Sequence, residues 1–302
     1  MNKCKYFALI IFTTLLMGVA FPVGKIGLSY APPFFLMGIR FVLAGCLMAL
    51  LTARKPQPRG GKMWLQAAAV GLFQSAGVMG CAYFSMRWIS SGESSIITCT
   101  NPLLVIVLGT LLTGAVYKVR QWLGVVVGFI GVVFAFGLHM GFQPGTFIGF
   151  AGALSFAMAT LLVKRWGPAF DMNVLAAYQM LAGGIALLVL SMFAEHPRFA
   201  FNEISVAVVL WLAVMGSIVQ FSLWFYLLRT GDPGKTSAFL FLVPLFGVLS
   251  SWLMLGEKVG WSVGVGGAFI CAGIFLVNWE GIRMAAHQIP YIDKISGNSY
   301  NE

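Results

Sequence analysis

The chain has 302 residues, 59% of them hydrophobic and only 9% charged, with a mean hydropathy of +0.89. A soluble domain carries about 25% charged residues, so the composition excludes a soluble fold and describes an integral membrane protein made mostly of spans. The net charge of +10 lies in short loops between apolar runs, which fits a topology signal and not a nucleic-acid surface.

Ten apolar runs reach spanning length, near 6–25, 33–52, 63–84, 93–113, 120–138, 146–164, 173–194, 204–228, 235–255 and 260–279. The first, in MNKCKYFALIIFTTLLMGVA, imitates a signal peptide. Its apolar length suits a full span, and nine more follow. One helical face carries Thr14, Gly18, Phe21 and Lys25, with Pro22 able to kink it. Lys25 reads either as an anchor at the membrane interface or as a charged gate. The second span holds Arg40 about eight residues in. A charge there is costly; it either binds a substrate carboxylate, holds helices together, or snorkels to headgroups.

In the third span Gln74, Cys81 and Ser85 share a face, with Tyr83 close by. The fourth, Ser94 to Gly114, is broken by Thr98, Thr100 and Asn101-Pro102. Proline removes a backbone hydrogen bond, and lipid tolerates the break only where protein or water satisfies the freed groups. Ser94, Thr98 and Asn101 fall at i, i+4 and i+7, so one face is polar and is predicted to line a cavity near mid-membrane. Gly124 and Gly128 make a small-residue contact motif in the fifth span, as do Gly260 and Gly264 in the tenth. Tyr178-Gln179 lies in the seventh; Ser217, Gln220 and Trp224 share a face of the eighth. In spans such groups either line a pathway or hydrogen-bond between helices. In the ninth, Leu240 and Val243 stand where the fourth has Thr98 and Asn101, with Phe239, Phe241 and Phe246 around Pro244. A polar wall opposite an aromatic one suits an amphipathic substrate.

Five cysteines form no CxxC pair, so packing is the expected role, and neither a zinc site nor a disulfide framework is supported. No Asp or Glu lies at the centre of a span; Glu93, Glu203, Glu257 and Glu280 are at span ends, and Asp171 and Asp232 are in loops. His139, His196 and His287 are not placed as relays. Without a central carboxylate, exchange or facilitation fits better than a proton pump. No cofactor, metal or catalytic cluster is expected. The chain is read as a non-enzyme whose partners are a small-molecule substrate and the lipid bilayer, with no nucleic acid; its oligomeric state is left open, a monomer being favoured over a dimer through the glycine motifs.

With the N-terminus inside, fourteen Lys and Arg fall on inside segments. Only Lys25, Arg40, Arg87, Arg198 and Lys258 lie on the outer side or in its half of the membrane. Both termini are therefore predicted inside.

The chain also repeats itself. At an offset of 142, Arg87 meets Arg229, Gly92 meets Gly234, Ser95 meets Ser237, Pro102-Leu103 meets Pro244-Leu245, and Gly114 meets Gly256. Nearer the start the offset is 139: Lys25 meets Lys164, Arg40 meets Gln179, and Gly45 meets Gly184. Five spans per half is odd, so the second half enters from the opposite side. The predicted fold is all-α and integral to the membrane: ten transmembrane helices as two inverted five-helix repeats around a central cavity. The repeats cover 7–138 and 146–279, and 280–302 is a cytoplasmic tail.

The segment MGVAFPVGKIGLSYAPPFFLMGIRFVLAG, the later Leu255-Gly256-Glu257 and the Gly-rich last span of each half resemble the drug/metabolite transporter superfamily, EamA type. The resemblance covers about residues 7–279. It implies export or exchange of small metabolites, often amino acids or related compounds, in a bacterial inner membrane. It also implies a cavity between the halves, with the fifth and tenth spans away from it. One departure is that Gly114 is followed by Ala115, where the family commonly has Glu. The substrate-cavity set is then Thr14, Phe21, Lys25, Arg40, Gln74, Tyr83, Thr98, Asn101, Pro102, Tyr178, Gln220, Trp224, Phe239 and Pro244. The expected function is secondary transport of a small amphipathic metabolite by alternating access. Nucleotide-sugar carriage is the alternative within transporters, and a membrane enzyme, a channel or a non-transporting partner are the alternatives outside them.

Overall fold

Bilayer hydrocarbon offers no hydrogen-bond partners, so a spanning backbone must satisfy itself as a helix or a closed barrel. The computed structural model of this chain takes the first solution: every regular element among the described residues is helical. It describes residues 3–98, 100–113, 116–136, 143–231, 236, 238–256, 261, 265–269, 271–273 and 275–277. Gly114, Ala115, His139, Asp232, Ser237, Glu257, Gly260, Gly264 and the tail 280–302 lie outside them, as do the side chains of Cys4, Glu93, Cys99 and Pro102.

The helices in chain order are α1 (Lys3–Gly27), α2 (Pro33–Leu51), α3 (Gly61–Ser85), α4 (Ser91–Thr98), α5 (Asn101–Thr113) and α6 (Val119–Phe136). They continue as α7 (Pro144–Trp166), α8 (Met172–Ala194), α9 (Glu203–Thr230), α10 (Phe239–Leu255) and α11, described in parts over Val265–Val277. Among the described residues six helices are long and apolar enough to cross a membrane: those starting at Lys5, Pro33, Gly61, Pro144, Met172 and Glu203. The predicted fourth span is two helices, because the chain breaks between Thr98 and Asn101. The predicted fifth, ninth and tenth appear as shorter apolar helices.

The packing is crossed. Helix α2 runs along α8, α1 lies on α9 and α10, and α7 lies on α3, α4 and α5. Lipid is as apolar as a leucine side chain, so close van der Waals approach, not hydrophobic burial, holds such helices together. At α2–α8 a Cβ on Gly184 would stand 2.7 Å from Val42 N, and one on Gly45 2.8 Å from Leu181 N. No larger residue fits without parting the helices. Gly124 meets Val277 and Gly273 of α11, whose backbone comes equally close to Gly128. The glycine motif of the fifth span is thus spent inside the chain.

Leu51, Leu65, Leu111 and Phe193 stand exposed on the outer surface, the positions a bilayer would cover. Cys46 and Cys271 are exposed there too, and Cys81 is half-buried, so the expected packing role does not describe all of the cysteines.

Two ionic ties close the loops. At one end the buried Glu195 carboxylate accepts from Phe34 N (3.1 Å), Phe35 N (3.3 Å), Ser191 Oγ (3.2 Å) and Arg87 Nη2 (3.2 Å). It caps α2, whose own N-cap is Pro32 and offers no side-chain acceptor. At the other end Asp171 caps α8 through Asn173 N and Val174 N and pairs with Lys55 at 3.1 Å. Burial pushes the Asp171 carboxyl up, but Lys55 and the two backbone donors outweigh it and hold it below the usual aspartate value. A depressed carboxyl contributes its stability above the unfolded pKa of about 3.9 and loses it as pH falls through the lower folded value. Asp171→Asn should therefore flatten the acid limb of a stability–pH curve below about pH 4. A limb unchanged from wild type removes the tie from the account.

Candidate functional site

Among the described residues, cavities lie at both ends of the bundle and at its centre. The first, about 590 Å³, opens where α1 meets α2, at the end of α3 and before α9; Lys25, Arg87 and Arg198 line it with Tyr30 and Phe199. Another, about 320 Å³, lies at the opposite end of α9, lined by Lys164 and Arg229 with Val163, Met172 and Leu228. Between them is a central cavity of about 20 Å³, room for roughly one water.

The central cavity collects Phe21 of α1, Gln74 and Tyr83 of α3, Thr98 of α4, Gln220 of α9, and Leu240 with Val243 of α10. Of the predicted polar wall Thr98 lines this space and Asn101 does not; Leu240 and Val243 line it too. The aromatic part differs from expectation. Phe239 and Phe241 belong to a separate core with Ile10, and Phe239 meets the edge of Phe7 at 5.8 Å. The rings at the cavity are Phe21, Tyr83 and Phe156. Pro244 is buried in α10 beside the lining residue Val243 but outside the lining itself.

Layers of one or two turns separate the cavity from each vestibule. On the first side Phe21 and Tyr83 stack 6.3 Å apart, and the Tyr83 hydroxyl donates to Ala20 O at 2.5 Å. The Tyr83 ring occupies the space a Cβ on Gly24 would need. Lys25 Nζ donates to Met86 O at 2.7 Å just above. On the second side Phe156 meets Trp224 at 6.3 Å.

Gln220 Oε1 on the lining has no hydrogen-bond partner; nor has either amide atom of Asn101, nor Trp224 Nε1, in two expected residues that are buried outside the lining. Asn101 is fully buried where the fourth predicted span breaks, and Thr98 donates back to Ser94 O at 2.8 Å. An unpartnered buried polar group costs about 1–3 kcal/mol, so four such atoms mark where folding is not the only constraint on sequence.

Arg40 is placed differently. It is fully buried and outside the cavity lining. Its guanidinium donates to Ser217 Oγ at 2.8 Å and to Gly216 O, and contacts Met37 Sδ at 3.6 Å. Tyr83 lies within electrostatic reach of it. Gln179 makes the matching contact, its Oε1 accepting from Ser75 Oγ at 2.8 Å. Ser75 and Ser217 each sit in a π-helical stretch, Leu72–Gly80 in α3 and Val214–Val219 in α9. The wider π turn displaces backbone carbonyls from the regular ladder, and Arg40 takes the one at Gly216.

The remaining expected residues lie elsewhere. The Thr14 hydroxyl bonds back to Ile10 O and Ile11 O, both at 2.9 Å, and is absent from the cavity lining. Tyr178 donates to Gln57 at 2.7 Å and meets Trp64 at 4.5 Å, at the Lys55–Asp171 end. Lys25 lines the first vestibule, and Pro102 enters the description only as α5 backbone. Sequence reasoning missed Phe156 and Met79, which are ordinary apolar residues, and Glu195, whose place at a span end disguises its burial.

An all-helical, apolar bundle with a polar-lined axis defines a multi-pass membrane protein with the build of a transporter. The chain belongs to the EamA-like transporter family, whose model matches it twice, over residues 5–137 and 143–279. It is 27% identical to the uncharacterized transporter YoaV of Bacillus subtilis, covering 88% of this chain and 94% of that one. It is equally similar, at 27%, to an uncharacterized transporter of Archaeoglobus fulgidus (89% and 95% covered) and to the uncharacterized inner membrane transporter YedA of Escherichia coli K12 (82% and 83%). A solved crystal structure superposes with a TM-score of 0.75 over 91% of this chain and 97% of its own; at 19% identity the likeness is one of fold.

Proposed function

We propose that the protein is a secondary transporter that moves a small amphipathic metabolite, an amino acid or analogue, by alternating access between two inverted five-helix repeats. The observation that carries this reading is the match between the ends of the pathway. Lys25 and Arg87 line one vestibule, and their repeat mates Lys164 and Arg229 line the other. Pro33 and Met172, and Met86 with Leu228, pair in the same way at the 139 and 142 offsets. The crossed bonds Arg40–Ser217 and Gln179–Ser75 obey those offsets too. Two halves related in this way can exchange conformations, which opens the central cavity first to one vestibule and then to the other.

In this reading the Phe21–Tyr83 stack and the Phe156–Trp224 contact are the two barriers. Thr98 and Gln220 supply polar contacts at the centre, with Asn101 three residues beyond Thr98 at the helix break, and Leu240 and Val243 supply the apolar wall. The charge bias of the loops and the inner-membrane relative support a bacterial inner membrane with both termini cytoplasmic. Transport by purified protein in liposomes tests the reading.

A further inference from the structure

Inside-positive topology makes outer-side cations exceptional. Three of the five exceptions in this sequence, Lys25 at the end of α1 and Arg87 and Arg198 from two separate loops, meet in one vestibule. The opposite vestibule repeats the pair with Lys164 and Arg229. No described acid lines either space. Arg87 has Glu195 beneath it, but that carboxylate already accepts from the start of α2 and from Ser191. Arg198, Lys164 and Arg229 make no ion pair with a described residue. Each vestibule sets its cations against an apolar wall, Tyr30 and Phe199 in one, Val163, Met172 and Leu228 in the other.

We propose that these cation pairs are matched docking sites for the carboxylate of a small organic anion with an apolar body, one site at each end of the pathway. The proposal deepens the transport reading and rests on it. The smaller vestibule, about 320 Å³, is at the low end of ligand sites and suits a monocarboxylate. The central polar groups are neutral, so an anion that is gathered at one mouth is not trapped midway. Repeat symmetry then presents the same chemistry where the anion leaves.

Equilibrium binding decides the matter. The full chain, in phosphatidylcholine nanodiscs, is titrated with hexanoate, phenylpropionate and N-acetylleucine, each beside its amide. At least one acid is expected to bind where its amide does not, more weakly as salt rises. Lys164→Gln with Arg229→Gln should weaken that acid about tenfold; Lys164→Arg with Arg229→Lys should restore it. No preference for any acid over its amide, or unchanged affinity in the charge-removed variant, overturns the proposal. A parallel series uses nanodiscs containing phosphatidylglycerol. Retention of that lipid through the same cations, with no acid bound, assigns them to headgroups and equally overturns it. Flux is not read, so a chain that binds the acid through these cations yet transports nothing contradicts the transport reading alone.

Discussion

Arg40→Leu is expected to lower folding stability by about 2–4 kcal/mol, read by SDS titration in mixed micelles. Leucine removes the guanidinium donor from Gly216 O inside the bundle. It also leaves part of the volume of one of the largest fully buried side chains unfilled. Arg40→Gln should lose less than half as much, because an amide can still donate. Sequence alone left Arg40 open between substrate ligand and structural tie. An Arg40→Leu protein as stable as wild type but unable to transport would return it to the first role.

Asn101→Leu should behave in the opposite sense. Both amide atoms are buried without partners, so an apolar residue of similar size removes a desolvation cost and should raise stability by about 1–2 kcal/mol. Transport should fall more than about tenfold, because a pathway that relies on a polar contact discriminates strongly when the contact is lost. A residue kept for folding weakens the fold when removed; one kept for function does not. A variant that is destabilised and transports normally would make Asn101 a packing residue.

Much of the architecture was legible in the sequence because membrane spans are fixed by length and apolarity. The runs beginning near Lys5, Pro33, Gly61, Pro144, Met172 and Glu203 are long helices. The Asn101-Pro102 break was legible for a local reason, the missing proline donor, and the chain divides there. The π turns of α3 and α9 were not legible: Leu72–Gly80 and Val214–Val219 carry no breaker other than glycines of a kind found throughout the chain.

The cavity was legible by face and not by depth. Phe21, Gln74, Tyr83, Thr98 and Gln220 share one cavity. Thr14 lies about a turn before the lining residue Met17, and Phe239, next to the lining residue Leu240, packs into a separate core; periodicity alone cannot tell such faces from lining. Tyr178 was misplaced in depth because its partner Gln57 sits in a distant loop. The repeat offsets pair Arg40 with Gln179, and each meets a serine of the other half, Arg40 donating to Ser217 and Gln179 accepting from Ser75.

The most direct measurement is counterflow in liposomes reconstituted with the purified, folded protein. The vesicles are loaded with unlabelled phenylalanine, leucine, methionine or threonine, or a carboxylate analogue, and labelled compound is added outside. A carrier that alternates between two facing states should show uptake that saturates and is accelerated by unlabelled substrate on the far side. Uptake that never saturates and ignores the far side would describe a channel, and no flux for any compound of a broad panel would contradict transport itself.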